Sequence, residues 1–197
     1  MFITFEGTEG CGKSTLMTNL SRALKDASVP HVVTREPGGS LVAESIRSLI
    51  LKQDMDPLTE LFLYEAARAE HFKKTISQAL KEKKWVLCDR FTDSTIAYQG
   101  YARGLNLGMI EKLNKMATGS KKPDLTFFLD LPVEEGLKRA VDPNRFEKEG
   151  ILFQKKVRLG FVAASKKDKK RFRTLKVSGL TPEQVCSLAM KHLKAYL

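Results

Sequence analysis

Phe2-Ile3-Thr4-Phe5-Glu6-Gly7-Thr8-Glu9-Gly10-Cys11-Gly12-Lys13-Ser14-Thr15-Leu16 decides the architecture of this chain. Its first five residues are a strand-like run. Gly7 to Ser14 then read G-x-x-x-x-G-K-S, and Leu16, Met17, Leu20 and Leu24 continue at helical spacing. A glycine loop between strand and helix is the setting of a phosphate cradle. Glycines let successive backbone N–H groups converge on phosphate oxygens, and the helix N-terminus adds partial positive charge. Lys13 reaches terminal phosphates and the Ser14 hydroxyl can ligate Mg²⁺. The stretch implies a nucleoside triphosphate ligand.

Working outward, strand and helix signals alternate, which implies βαβ units and a parallel sheet. Strands are expected at residues 2–6, 31–34, 85–88, 125–130 and 173–177, and helices at 13–27, 40–52, 58–83, 107–118, 133–141, about 147–165 and 182–196. Thr181-Pro182-Glu183 offers an N-cap followed by proline at the first helical position. Asp142-Pro143-Asn144 interrupts two helices and is expected to lie in a lid.

The composition bounds the reading. At 197 residues, 42% hydrophobic and 29% charged, the chain is expected to be one soluble domain with a sizeable core. No apolar run has the length of a membrane span, and Met1 to Glu6 lack a signal peptide's regions. Cysteines at positions 11, 88 and 186 form no C-x-x-C pair, which fits a reducing cytoplasm rather than a disulfide framework or zinc site. Cys11 lies beside Lys13 at a helix N-terminus, both of which favour thiolate; the reading preferred over a reactive thiol is a small residue chosen for fit. The net charge of +11 permits nucleic-acid binding without demonstrating it. Much of it sits in the solvated run Lys166–Arg173. The histidines at 31, 71 and 192 have no triad or metal spacing and read as structural.

Three further clusters carry chemistry. Arg35-Glu36-Pro37-Gly38-Gly39 follows the second strand, where ligands bind in open α/β sheets. Asp89-Arg90 closes the third strand; the carboxylate can hold Mg²⁺ and the guanidinium can clamp a phosphate. Tyr64 and Arg68 are i, i+4 on one helix face, suited to stacking on a flat base and bonding its edge. Thr95, Tyr98 and Gln99 repeat that logic.

Together, ITFEGTEGCGKST, TREPGG, YEAARAEH, CDRFTDSTIAYQGYARG and KPDLTFFLDL resemble the thymidylate kinases, bacterial branch, of the P-loop nucleoside monophosphate kinase group. The resemblance implies a P-loop NTPase α/β fold: a three-layer α/β/α domain over residues 1–197, a five-stranded parallel sheet surrounded by helices, and a short lid at about 139–148. It implies transfer of the γ-phosphate of ATP to dTMP with Mg²⁺, by a cytoplasmic homodimer without nucleic-acid or membrane partners. Residues Gly7, Thr8, Glu9, Gly10, Cys11, Gly12, Lys13, Ser14 and Thr15 would hold the donor phosphates, with Ser14 and Asp89 on the metal. Glu9 would meet the acceptor's 3′-hydroxyl, Glu36 and Pro37 would line its sugar and base, and Arg47 and Arg90 would grip its phosphate. Tyr64, where the family usually has phenylalanine, would stack on thymine. Arg68 would reach O4, Thr95 and Gln99 would complete the base contacts, and Tyr98 would crowd out a ribose hydroxyl. With Gly10 and Cys11 in the P-loop, the catalytic arginine is expected from the lid, Arg139 or Arg145. The alternatives are a kinase of UMP, CMP or dUMP, a nucleic-acid-associated ATPase, and a nucleotide-binding regulator without turnover.

Overall fold

Five parallel strands, β1 (Phe2–Glu6), β2 (His31–Arg35), β3 (Trp85–Asp89), β4 (Leu125–Asp130) and β5 (Phe172–Lys176), form one sheet in the order β2-β3-β1-β4-β5. The computed structural model describes residues 1–139 and 145–196. Residues 140–144, with the Asp142-Pro143-Asn144 turn and the middle of the expected lid, lie outside the described residues.

Alternation along the strands sorts side chains between two layers. From the central strand β1, Ile3 and Phe5 pack with Leu87, Leu125, Phe127 and Leu129 under α1 (Lys13–Asp26) and α10 (Pro182–Leu193). Phe2 faces the other way, with Val86, Cys88 and Phe91. On that second side Phe128 joins Tyr98, Phe153, Phe161 and Phe172 under α9 (Ile151–Lys167). The inner strands are buried on both faces, whereas the edge strands β2 and β5 are partly exposed.

The remaining helices are α2 (Leu41–Lys52), α3 (Pro57–His71), α4 (Ser77–Lys81), α5 (Thr92–Thr95), α6 (Leu107–Thr118), α7 (Val133–Arg139) and α8 (Arg145–Lys148). Most long helices start as their sequence dictates. Ser40, Asp56, Asn106 and Thr181 each accept a backbone N–H of their own first turn. Helix α1 differs: Gly12 precedes it at φ 94°, with no side-chain cap and no acidic residue in the first turn. Its first-turn N–H groups therefore remain available to an anion.

Strand positions agree with the sequence reading to within one residue. The expected 58–83 helix is α3 and α4 joined through a π-helical segment, Phe72–Ile76. A second π-helical segment, Ile96–Ala102, continues α5. Neither has a signature in hydrophobic periodicity, and π segments concentrate at functional sites. The expected 147–165 helix instead comprises α8 and the main helix α9, which starts at Ile151 and runs on to Lys167.

The phosphate loop also has a support that no motif announces. A Cβ on Gly10 would collide with the carbonyl oxygen of Gly136 in α7, and one on Gly136 with that of Glu9. Loop and helix thus touch backbone to backbone. Gly136→Ala should lower stability by about 1–3 kcal/mol through overpacking. It should also weaken MgATP binding, because the loop has to shift. Thermal unfolding and nucleotide titration check this; wild-type affinity would refute the coupling.

Candidate active site

The carboxyl ends of β1, β2 and β3 end at Glu6, Arg35 and Asp89, and the functional side chains gather beyond them. A cavity of about 700 Å³ is lined by the loop from Glu9 to Thr15 and by Glu36, Pro37, Arg47, Tyr64, Arg68, Asp89, Arg90, Tyr98, Gln99 and Arg139. One volume therefore holds most residues proposed for donor and acceptor.

At the loop end, Lys13 donates from Nζ to the carbonyls of Gly7 (3.2 Å) and Thr8 (3.1 Å). Arg90, at φ 66°, donates to Glu9 Oε1 at 2.6 Å and to the Gly7 carbonyl at 3.0 Å. A non-glycine residue held in this left-handed region is strained, a cost found where position matters. The Arg90 guanidinium also lies 5.0 Å from the Tyr98 ring centroid, and Tyr98 Oη donates to Glu9 at 3.2 Å. Burial alone would raise the Glu9 carboxyl; Arg90 and Lys13 outweigh it and hold it below the usual range.

Beside this cluster, Asp89 Oδ1 is buried without a hydrogen-bond partner among the described residues. Both Asp89 and Ser14 line the cavity. A buried carboxylate oxygen normally finds a donor or a cation. No group of three or more His, Cys, Asp or Glu side chains suited to a metal occurs among the described residues. The unpartnered Asp89 oxygen and the Ser14 hydroxyl at the cavity wall are groups that suit a divalent cation.

At the other end, Arg68 is almost wholly buried. It donates to Glu36 (2.8 Å), Glu65 (2.7 Å), Thr95 (2.6 Å), Asn114 (2.6 Å) and the Phe91 carbonyl (3.1 Å). The second oxygen of Glu36 faces His71 Nδ1 at 3.1 Å, and Thr34 meets Nε2 of that ring. His71 is thus structural, as expected. Arg47 donates to the Pro37 carbonyl at 2.8 Å; burial and the nearby Arg35 charge lower its affinity for the proton. Burial, reinforced by Glu60, raises the Tyr64 phenol above its ordinary range.

The structure departs from parts of the sequence reading. Thr95 is not on the cavity lining; its hydroxyl is occupied by Arg68, so it holds that side chain from behind. Arg145 is not brought to the cavity either, because it donates to Glu60 at 2.6 Å and to the Ile50 carbonyl at 3.1 Å, whereas Arg139 lines the cavity. Cys11 is not set up as a thiolate: burial pushes its thiol up, against the opposing effect of Lys13 and Arg90. Gly7 and Thr8 contribute carbonyls to Lys13 rather than cavity wall. Sequence reasoning missed the apolar wall of Val177, Leu180 and Pro182. Its only signal is position, just past the carboxyl end of β5.

Comparisons with known proteins point to one family. The family model described as Thymidylate kinase matches residues 5–187. A thymidylate kinase of Geotalea uraniireducens is 49% identical over 183 residues, covering 87% of this chain and 86% of the relative. One from Desulfosudis oleivorans is 45% identical over 196 residues, covering 93% and 92%. The crystal structure of thymidylate kinase from Ehrlichia chaffeensis superposes with a TM-score of 0.81 at 38% identity, covering 98% of each chain.

Beneath the loop, Glu6 accepts from the Phe91 N–H (2.8 Å) and Ser94 Oγ (2.6 Å). Burial, then the Asp93 charge, push its pKa from 4.5 up to about 8, against the opposing pull of Ser94, Arg90 and Phe91. With the folded pKa raised, the protonated form favours folding, and that contribution fades as pH rises from about 4.5 through 8. Glu6→Gln should therefore gain stability relative to wild type across that window and keep a constant advantage above it. Denaturant unfolding from pH 5 to 9 measures the gap, and a gap independent of pH would refute the assignment.

Proposed function

Because the chain belongs to the thymidylate kinase family, we propose that its sheet-edge cavity is where ATP and dTMP meet. The activity is phosphorylation of dTMP by ATP, giving dTDP and ADP. The observation that carries the site assignment is that one cavity is lined both by the phosphate loop and by Glu36, Arg47, Tyr64, Arg68, Arg90 and Gln99.

In this reading the open first turn of α1, the loop N–H groups and Lys13 hold the donor's phosphates. Val177, Leu180 and Pro182 offer its base an apolar wall. The acceptor's phosphate is gripped by Arg90 and Arg47, its sugar lies against Glu9 and Tyr98, and its base lies between Tyr64, Arg68 and Gln99. The acceptor oxygen attacks the γ-phosphorus while the bond to the β,γ-bridging oxygen breaks. A phosphate monoester has a second pKa of about 6, so that oxygen is already largely ionised at pH 7 and needs no general base. The protein's work is positioning two anions and neutralising charge on the group in flight. Mg²⁺, held by Ser14 and Asp89, would supply further neutralisation.

Cavity position favours Arg139 over Arg145 as the lid arginine facing the transferred group. In a coupled ADP-release assay with MgATP and dTMP, dUMP, UMP, CMP, AMP and GMP, wild type should prefer dTMP. Arg139→Ala should lose about 100-fold or more in kcat, with a nearly unchanged KM for dTMP. A wild-type kcat in that variant would remove Arg139 from the site. Preference for another monophosphate would overturn the base-pocket assignment.

The whole chain is read as one catalytic unit in the cytoplasm. No described helix is long and apolar enough to cross a membrane. A homodimer is supported by the exposed side chains of Leu41, Val42 and Leu49 on α2, Leu58 and Phe62 on α3 and Met116 on α6. These three helices pack in sequence, α2 on α3 and α3 on α6. Scattered exposed apolar groups are ordinary, but several on adjoining helices suit a buried interface. Phe62→Glu should shift the sedimentation mass from dimer toward monomer; a wild-type monomer would refute the interface.

A further inference from the structure

Gln99 lines the cavity with an amide, and an amide has two faces of opposite polarity: a carbonyl that accepts and an NH₂ that donates. Which face meets the ligand is decided by what holds the other. Here Nε2 donates to Glu60 Oε1 at 2.8 Å. A carboxylate only accepts, so the NH₂ has to be the group turned to Glu60. No described residue donates to Gln99 Oε1, which leaves the carbonyl as the amide's group for the cavity.

Glu60 is itself held firmly. It is fully buried in the first turn of α3, where the helix dipole favours a carboxylate. Its Oε2 accepts from Arg145 at 2.6 Å and from Arg103 at 3.3 Å. Arg103 Nε lies 3.4 Å from Oε1, and its guanidinium also pairs with Glu149. Two guanidiniums keep Glu60 an acceptor on both oxygens, so the Gln99 amide cannot turn over without facing two acceptors toward each other.

We propose that Glu60, which does not line the cavity, is a specificity-determining positioning residue. By taking up the NH₂ of Gln99 it presents only the carbonyl to the nucleobase. The cavity is thereby tuned to bases with a ring N–H at that edge, as thymine has at N3, and against bases with a lone pair there, as cytosine has. The proposal rests on Gln99 meeting the acceptor's base.

Glu60→Gln tests it. The strongest remaining donor, Arg145, keeps the new amide's carbonyl, so its NH₂ faces Gln99 and turns that side chain over. The cavity then receives a donor. The kcat/KM ratio of dCMP to dTMP should rise about 10- to 100-fold, carried mainly by KM. The exchange Glu60→Gln/Gln99→Glu restores an acceptor at the base and keeps one carboxylate in the pair. It should return the ratio toward wild type.

An equal loss of kcat with both nucleotides at an unchanged ratio would overturn the proposal, since Glu60 would then act only as an anchor for Arg103 and Arg145. If Glu60→Gln fails to fold by circular dichroism, the exchanged pair decides alone. Wild-type selectivity there supports the proposal, and relaxed selectivity overturns it. Gln99→Leu separates the underlying reading. If this variant keeps wild-type kcat/KM for dTMP, Gln99 does not meet the base and the proposal falls with that assignment. If it loses dTMP selectivity while Glu60→Gln does not, only the role of Glu60 fails.

Discussion

A guanidinium removed from water has to be met on all sides, and Arg68 shows how much structure that demand organises. Its acceptors come from the loop after β2 (Glu36), α3 itself (Glu65), the chain after β3 (Phe91), α5 (Thr95) and α6 (Asn114). The first and third follow neighbouring strands, β2 and β3, but the helices are separate in sequence, and all must converge for the charge to be satisfied. Removing one partner of a buried pair costs about 3–5 kcal/mol, because the other charge is left without compensation. The acceptor half of the cavity is therefore held in one arrangement by the need to keep a single cation paired.

The donor half is built on a different principle. Its backbone is bent open by glycines and left uncapped at α1, and its cations donate to the protein's own chain. Lys13 meets Gly7 and Thr8 carbonyls, Arg90 meets Glu9 and the Gly7 carbonyl, and Arg47 meets the Pro37 carbonyl. Phosphate oxygens are stronger partners than neutral carbonyls. In the proposed reading, nucleotide binding at this end would exchange one set of hydrogen bonds for a better one, and no buried cation would be left stranded while the site fills.

Much of this was legible because the phosphate loop, the strand ends and the base-reading pairs are local in sequence. Glu9 to Thr15, Asp89-Arg90, and Tyr64 with Arg68 each lie within one turn or one helix face, and the structure brings them to one cavity. What escaped depends on contacts between distant segments. Gly136 supports Gly10 across the gap between α7 and the loop. Thr95 reads as a base contact from helical spacing, yet the π-helical segment begins just after it and carries Tyr98 and Gln99 to the cavity instead. Cys11 sits where a helix N-terminus and a lysine favour thiolate, but burial, invisible in the local sequence, outweighs both. Val177, Leu180 and Pro182 carry no motif at all.

Arg139 and Arg145 show why proximity in sequence was a poor guide and pair energetics a better one. Arg145 is bound to fully buried Glu60 at 2.6 Å, with its own side chain largely buried. Drawing it away would strip a buried carboxylate of its shortest contact, at a cost approaching that of breaking a buried pair. Arg139 stands 3.9 Å from Glu135, both side chains about half exposed, so releasing it costs no more than about 1 kcal/mol. A residue that has to leave its partner and reach a developing charge in each turnover is better supplied from the cheaper pair. Arg145 is more useful where it is, holding the carboxylate that fixes the amide of Gln99. In the proposed reading, the same stretch of chain thus contributes one arginine free to engage the phosphates and another fixed to Glu60, behind the Gln99 amide.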